Sequence, residues 1–211
     1  LCEGDSAKAG VISGLNKEDR DYYGVFPLKG KLVNVSDLQA SKINLNAEIA
    51  SIKKIIGLKS GAKYNTIEDV NTNLRYGKIM FMTDQDLDGS HIKGLCINLF
   101  HCEWPELTRI ESFLSYMNTP IIKAKKGARE KDFYTEQDYH NWKESDETKG
   151  WVIKYFKGLG TSTAREFKQY FSNMKTISFS HGGGECLNSI DLAFNKKRAD
   201  DRKEWLRNYD K

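Results

Sequence analysis

With 211 residues, 39% hydrophobic and 29% charged, the chain is long enough to bury the core of one large domain or two small ones. No apolar run approaches the roughly 20 residues that span a bilayer and no secretory signal is visible, so no membrane partner is expected. The net charge of +4, from 33 Lys and Arg against 29 Asp and Glu, suits a polyanion partner without demanding one.

Cys2, Cys96, Cys102 and Cys186 form no CxxC pair and no zinc-type spacing, which predicts free thiols in a reducing compartment. Leu1–Cys2 reads as the end of a strand that begins ahead of Leu1, and the lack of an initiator Met makes the chain read as a fragment. Glu3–Gly4–Asp5 turns into a helix over about 6–13, with Gly4 in an unusual backbone state and Asp5 or Ser6 as cap. Residues 22–28 read as extended, and Lys29–Gly30–Lys31 as a basic turn. Apolar positions Leu38, Ile43, Leu45, Ile49, Ile52, Ile55 and Ile56 predict a helix with a break near 44–46. A short helix over 66–73 precedes an apolar strand over 78–83.

An acidic turn, Asp84–Gln85–Asp86–Leu87–Asp88–Gly89, follows that strand and leads into a helix over about 90–102. Trp104–Pro105 marks a turn. A strand-like run covers 113–125 with Thr119–Pro120 at its middle, and Gly127 makes a hairpin into 132–134. A helix over 135–143 and a strand over 151–156 follow. Thr163–Ala164–Arg165–Glu166 is a capping box opening a helix to about Phe171. Residues 181–184 form a glycine loop, and 190–209 a charged helical tail. The alternation of strands and helices predicts an α/β fold.

Strand, acidic turn, helix is the arrangement that places side chains at the carboxyl end of a strand, where open α/β sheets keep their sites. In an extended turn Asp84, Asp86 and Asp88 project to one side, and three crowded carboxylates call for a hard divalent cation such as Mg²⁺. An EF-hand is rejected, because its twelfth position is Leu95 and a strand, not a helix, precedes the loop. A phosphatase of the haloacid dehalogenase kind stays in reserve, although Asp88 stands where that family prefers Thr or Val. If two parallel strands adjoin, Glu3 and Asp84 share one sheet edge, and Glu3 becomes available for acid–base work. A solvated acidic turn is the bland alternative.

Residues 24–31 fail as a Walker A loop, and Gly158–Leu159–Gly160 fails as a dinucleotide fingerprint because Thr163 replaces the third glycine. Both still offer backbone N–H groups and a lysine, Lys31 or Lys157, to a phosphate. His91 reads as a satisfied neighbour of the acidic turn. Two basic runs, one of Lys123, Lys125, Lys126, Arg129 and Lys131, the other of Lys196, Lys197, Arg198, Arg202, Lys203 and Arg207, suit a nucleic-acid backbone or are solvated faces.

Taken together, these strings resemble the TOPRIM region of type IIA DNA topoisomerases, closest to the eukaryotic topoisomerase II branch. The resemblance rests on Glu3–Gly4–Asp5–Ser6–Ala7, on Asp21–Tyr22–Tyr23–Gly24–Val25–Phe26–Pro27–Leu28–Lys29–Gly30–Lys31 and on the run from Thr83 to Leu95. Lys157–Gly158–Leu159–Gly160–Thr161–Ser162–Thr163, Leu192–Ala193–Phe194–Asn195–Lys196–Lys197 and Asp201–Arg202–Lys203–Glu204–Trp205–Leu206 complete it. It covers nearly the whole chain. It implies a Rossmann-like TOPRIM domain with a short parallel sheet over 1–119, its first strand truncated. An α+β C-terminal extension over 120–211 would lead toward a winged-helix domain outside the chain.

The function implied is the Mg²⁺-binding part of the DNA cleavage–religation core of an ATP-dependent enzyme that passes one duplex through another. A tyrosine of the winged-helix domain attacks a phosphodiester and forms a reversible 5′-phosphotyrosyl link. Carried over, Glu3 and Asp84 hold the metal nearest the leaving 3′ oxygen, and Glu3 is the catalytic acid–base. Asp84 and Asp86 hold a second metal, with Asp88 either a ligand through water or a neighbour that supports the ligands without touching the ion. Two Mg²⁺ ions are expected per site, with Mn²⁺ or Ca²⁺ able to substitute in binding, and ATP is used by a domain absent from the chain. Lys29, Gly30, Lys31, Asn34, Lys157, Arg207 and Asn208 match DNA-binding positions. Double-stranded DNA, the winged-helix domain and a second copy in a homodimer are the implied partners. The nucleus is the implied location, with mitochondrial or viral versions left open. Alone, the chain is not expected to cleave DNA. A non-catalytic DNA-binding module, or a DxD-type phosphotransferase, are the competing functions.

The resemblance departs at position 29, where the motif usually has Arg and this chain has Lys29, which keeps the charge but loses the planar fork and its stacking. In the full-length enzyme Lys29→Arg is therefore expected to increase cleavage stimulated by intercalating poisons. Drug-stimulated cleavage left unchanged would count against this account of stacking.

Overall fold

The computed structural model describes residues 1–145, 148–156 and 158–209. The elements run in order β1 (Cys2–Glu3), α1 (Gly4–Gly14), α2 (Asp19–Tyr22), β2 (Pro27–Leu28), α3 (Ala40–Leu45), α4 (Ala47–Ile56), α5 (Ile67–Asn73), β3 (Ile79–Phe81) and α6 (Leu87–Glu103). They continue with β4 (Leu114–Met117), β5 (Ile122–Lys126), β6 (Arg129–Phe133), α7 (Glu136–Lys143), β7 (Val152–Tyr155), α8 (Ala164–Ser172), β8 (Thr176–Ser178), α9 (Gly184–Phe194) and α10 (Ala199–Arg207). The fold is mixed α/β: β1 and β2 pair in parallel, β6, β5 and β7 form an antiparallel sheet, and β3, β4 and β8 form a third sheet in that order.

Local chemistry sets most boundaries. Asn46 both ends α3 and caps α4, its Oδ1 accepting from the N–H groups of Glu48 and Ile49 at 3.1 and 3.0 Å. This is the predicted break near 44–46. Thr66 and Thr163 open α5 and α8 with reciprocal capping boxes to Asp69 and Glu166. Several boundaries differ from the sequence expectation. The helix α1 starts at Gly4, with Glu3 at the N-cap position and no cap bond from Asp5 or Ser6, and α9 starts at Gly184 instead of about 190. Tyr22 closes a short helix instead of starting an extended run. The helix α6 begins at Leu87, three residues early, because Asp86 caps it. The run over 113–125 becomes two strands, split where Pro120 has no N–H to give to a ladder. The charged tail breaks at Asn195, whose Oδ1 accepts from Lys197 N–H at 2.9 Å and interrupts the helix. The strand β8 has no counterpart in the sequence expectation, since Thr176–Ile177–Ser178 is short and exposed throughout.

The chain divides into two compact units. The first comprises residues 1–30, 80–91 and 116–177. Its main core joins Cys2, Ala7, Val11, Leu15, Met82, Met117, Leu159, Phe167 and Tyr170. Burying side chains of this size stabilises by about 1.5–3 kcal/mol each before conformational entropy is counted. The contact between α1 and α8 is close because α1 presents Gly10 and Gly14 to the Phe167 side chain. A second cluster, Ile122, Ala124, Phe133, Tyr139 and Trp142, fills the space between the antiparallel sheet and α7. There Phe133 packs edge-on to Tyr139, with ring centroids 5.4 Å apart.

The second unit comprises residues 31–79, 92–115 and 178–211, described as far as Tyr209. Ile49, Ile52 and Ile56 on α4, with Leu99, Phe100 and Trp104, are among its buried side chains. Lys53 is buried with them and is not left unpaired. Its Nζ donates to Asn44 Oδ1 and Ser60 Oγ at 2.6 Å each, lies 3.3 Å from Glu103 Oε2, and sits 5.3 Å above the Trp104 ring. Asn98, fully buried, is satisfied by Ser36 Oγ and by Asn34. All four cysteines are free, and burial pushes the Cys96 thiol up to about 12.

The α1–α8 contact generates a test. A Cβ at residue 14 would lie 2.8 Å from Phe167 Cβ and 2.9 Å from the Phe167 carbonyl carbon, too close for either to yield cheaply. Gly14→Ala is expected to destabilise the protein by about 1–3 kcal/mol, read as a lowered midpoint in chemical denaturation.

Candidate metal centre and nucleic-acid interface

The two residues of β1 are held from both sides. Cys2 and Glu3 register with Pro27 and Leu28 of β2. On the other side Leu1 N–H donates to Met80 O at 2.8 Å, Met82 N–H to Leu1 O at 2.8 Å and Glu3 N–H to Met82 O at 2.9 Å. Parallel pairing therefore brings Glu3 and Asp84 to the same carboxyl edge, meeting the condition on which the sequence reading depends. Gly4 follows at once with φ +80°, a left-handed state that favours glycine, and turns the chain into α1.

At that edge Glu3 Oε2 accepts from the backbone N–H of Asp84 at 3.0 Å. Asp84 Oδ1 in turn accepts from Leu159 N–H at 2.7 Å. Asp86 caps α6: its Oδ1 accepts from Gly89 N–H at 2.7 Å and its carbonyl from Ser90 N–H at 3.0 Å. Gln85 points away, its Nε2 donating to Met117 O at 3.2 Å. Asp88 lies in the first turn of α6 and is exposed, so the alternation that would aim all three aspartates to one side stops at Asp86. Helical geometry replaces extended geometry there, and the acidic first turn also complements the helix dipole. His91 is exposed further along α6.

Burial raises the Glu3 carboxyl above its ordinary value. The Asp84 amide works against that shift, and the negative charges of Asp84, Asp86 and Asp88 add to it. Among the described residues no three His, Cys, Asp or Glu side chains converge as a ligand cluster. Glu3, Asp84 and Asp86 are instead turned onto backbone amides. The donors nevertheless fit a hard divalent cation in kind: all are carboxylate oxygens, and their mutual repulsion raises Glu3.

Two family matches cover the chain: the Toprim domain over residues 1–113 and the C-terminal associated domain of TOPRIM over 117–211. The chain belongs to the Toprim family. It is 53% identical over 211 residues to DNA topoisomerase 2 of Plasmodium falciparum (isolate K1 / Thailand), covering 99% of this chain and 15% of that protein. It is 52% identical over 212 residues to human DNA topoisomerase 2-beta, covering 99% and 13%. A crystal structure of the Plasmodium falciparum topoisomerase II DNA-binding, cleavage and re-ligation domain aligns with TM-score 0.92 at 52% identity, covering all of this chain and 29% of that one. The chain thus spans about one-seventh of the length of these curated relatives. Among the described residues no helix of this Toprim chain is long and apolar enough to cross a membrane.

The predicted DNA-facing residues fall in both units. Lys29 is exposed, followed by Gly30 with φ +123°, another conformation suited to glycine. Lys31 is exposed in the second unit. Asn34 is committed to the fold: its Nδ2 donates to Phe194 O at 2.7 Å, and its Oδ1 accepts from Ser36 N–H and Asn98 Nδ2. Arg207 and Asn208 are exposed at the end of α10. Lys157 lies outside the described residues.

Both basic runs are partly engaged within the fold. In the β5–β6 hairpin Lys123 pairs with Glu130 and Asp132 at 3.6 and 3.4 Å, and Lys125 with Glu130 at 3.2 Å. Lys131 sits 5.6 and 5.5 Å above the Phe133 and Trp142 rings. In the tail Arg198 pairs with Asp191 and Asp201, and Lys203 with Asp200. Arg202 donates to the carbonyls of Leu192 and Asn195 at 2.8 Å each.

The site also uses residues that the sequence pointed to for another reason. Gly158–Leu159, read as a failed phosphate loop, gives its amide to Asp84. The turn is braced by Glu166, which accepts from Thr163 N–H at 2.7 Å and from Lys154 Nζ at 2.7 and 2.9 Å. Burial alone would raise the Glu166 carboxyl, but Lys154 and the Thr163 amide and hydroxyl outweigh it and hold it below its ordinary value. A depressed folded-state pKa contributes stability above the unfolded value of 4.5, lost as pH falls through the folded one. Glu166→Gln is expected to cost about 1 kcal/mol at pH 7, or about 2–4 °C in Tm. Melting both proteins from pH 7 to pH 3 checks this, since the difference should close at the acid end.

Proposed function

We propose that this chain is the Mg²⁺-binding part of a DNA cleavage–religation centre in a type II topoisomerase. The observation that carries the reading is the Glu3–Asp84 contact: two carboxylate residues 81 positions apart meet at one edge of a parallel ladder, with Asp86 beside them at a helix start. The 52–53% identity to topoisomerase 2 relatives over 99% of the chain supports the same assignment. Glu3, Asp84 and Asp86, with Asp88, would hold the metal, two Mg²⁺ ions being proposed, with Mn²⁺ or Ca²⁺ able to take their place in binding. Bound Mg²⁺ supplies charge stabilisation to in-line displacement at a phosphodiester.

The chain's own residues supply orientation and a proton. Glu3, half-buried among three other carboxylates, is harder to ionise than a free glutamate, and suits exchange of a proton with a departing or returning alkoxide. Lys29, Gly30, Lys31, Asn34, Lys157, Arg207 and Asn208 remain the proposed DNA-facing set. The structural bonds of Asn34 favour a role in shaping the backbone there over direct contact. The organisation proposed is a TOPRIM domain over 1–119 and an extension over 120–211. A winged-helix domain would provide the attacking tyrosine, a separate domain would use ATP, and the enzyme would work as a homodimer on double-stranded DNA in the nucleus.

In the full-length protein that carries this chain, Asp84→Ala is expected to reduce Mg²⁺-dependent DNA cleavage by at least about 100-fold and to abolish ATP-driven decatenation. Cleavage at the unmodified level would overturn the proposal. A non-catalytic DNA-binding module would instead bind DNA in a salt-dependent way, indifferent to both Mg²⁺ and Asp84→Ala.

A further inference from the structure

We propose that the Gly158–Leu159 peptide is a positioning element for Asp84: its N–H aims the carboxylate, and the missing side chain at 158 gives the carboxylate its place. The inference rests on the metal-binding reading above and names residues that act through Asp84 without touching the ion.

Two observations carry it. Leu159 N–H donates to Asp84 Oδ1 at 2.7 Å, a short bond to a charged acceptor. A Cβ built on Gly158 would stand 2.6 Å from Asp84 Cγ, with the carboxylate oxygens also in its way. Nothing larger than glycine fits while Asp84 keeps this position. Backbone freedom is not the reason, because φ 160° and ψ 173° at Gly158 are extended and open to any residue.

The amide is itself fixed. The Leu159 side chain is 3% exposed and packs in the core with Cys2, Ala7 and Phe167. Thr161 donates from N–H and Oγ1 to Gly158 O at 3.1 and 2.7 Å, and Ser162 N–H donates to Leu159 O at 3.1 Å. The Lys154–Glu166–Thr163 brace closes the turn from the other side. An ionised carboxylate has about four lone-pair sites, so one N–H orients it and leaves the rest for other partners. The same bond removes this amide from the phosphate-binding role that the glycine pattern suggested.

Gly160 provides the matched control, since a Cβ there meets nothing within 4 Å. The probe is Mn²⁺, titrated without nucleotide into the full-length protein carrying this chain, with free ion read by electron paramagnetic resonance and folding by melting in EDTA. Gly158→Ala is expected to weaken Mn²⁺ binding by about 10–100-fold, toward the value for Asp84→Ala, while Gly160→Ala leaves it unchanged. Should Gly158→Ala fail to fold, replacing the Leu159 amide by an ester deletes the N–H and keeps the buried side chain. That change is expected to weaken Mn²⁺ about 10-fold. Unmodified affinity in the folded Gly158→Ala protein or in the ester would overturn the inference and leave the metal reading standing. If the unmodified protein bound Mn²⁺ no better than Asp84→Ala, the metal reading itself would fall, and this inference with it.

Discussion

Two residues of parallel ladder hold the candidate site together. Residues 1–3 are bonded to the chain at 26–28 on one side and at 80–82 on the other, and Glu3 and Asp84 take their places from that pairing. The ladder is too short to be stable by itself, since isolated strands of this length gain little from pairing alone. What keeps it is the core beneath: Cys2 and Met82 are buried with Ala7, Val11, Leu15 and Phe167, so the register of the edge is set by apolar packing. Cys2 and Glu3 alternate as a strand must, the thiol going into the core and the carboxylate staying half-buried.

Charge at this edge is managed by backbone amides. Glu3 leans on the Asp84 amide, Asp84 on the Leu159 amide and Asp86 on the Gly89 amide. Each bond satisfies one carboxylate oxygen with a fixed donor. The Glu3 carboxyl is raised all the same, first by burial and then by the charges of Asp84, Asp86 and Asp88. A cation is the natural remainder of that balance.

Much of this was legible in the chain itself, where local chemistry decides the outcome. Asn46, Thr66 and Thr163 sit at helix starts because their side chains satisfy amides that nothing else would, and such signals are carried within four residues. The edge shared by Glu3 and Asp84 was legible only on the condition that two strands adjoin in parallel. Three things were hidden, each for its own reason. The strand β8 has no apolar pattern to mark it. The lysines of the β5–β6 hairpin read as a basic patch until their cross-strand carboxylates are seen. The Leu159 amide faces a residue 75 positions away. The move of Asp88 into the helix is the exception, since Asp86 as cap would have announced it.

The pairing of those lysines bears on how a polyanion would feel this protein. A cation already matched to Glu130, Asp132, Asp191, Asp200 or Asp201 neutralises no incoming phosphate, and so releases no condensed counterion from it. The thermodynamic charge that nucleic acid would meet is therefore smaller than 33 basic residues suggest. Lys123, Lys125, Arg198 and Lys203 spend part of their charge within the fold, and because these pairs are partly exposed, salt that weakens the protein's hold on a polyanion weakens them too.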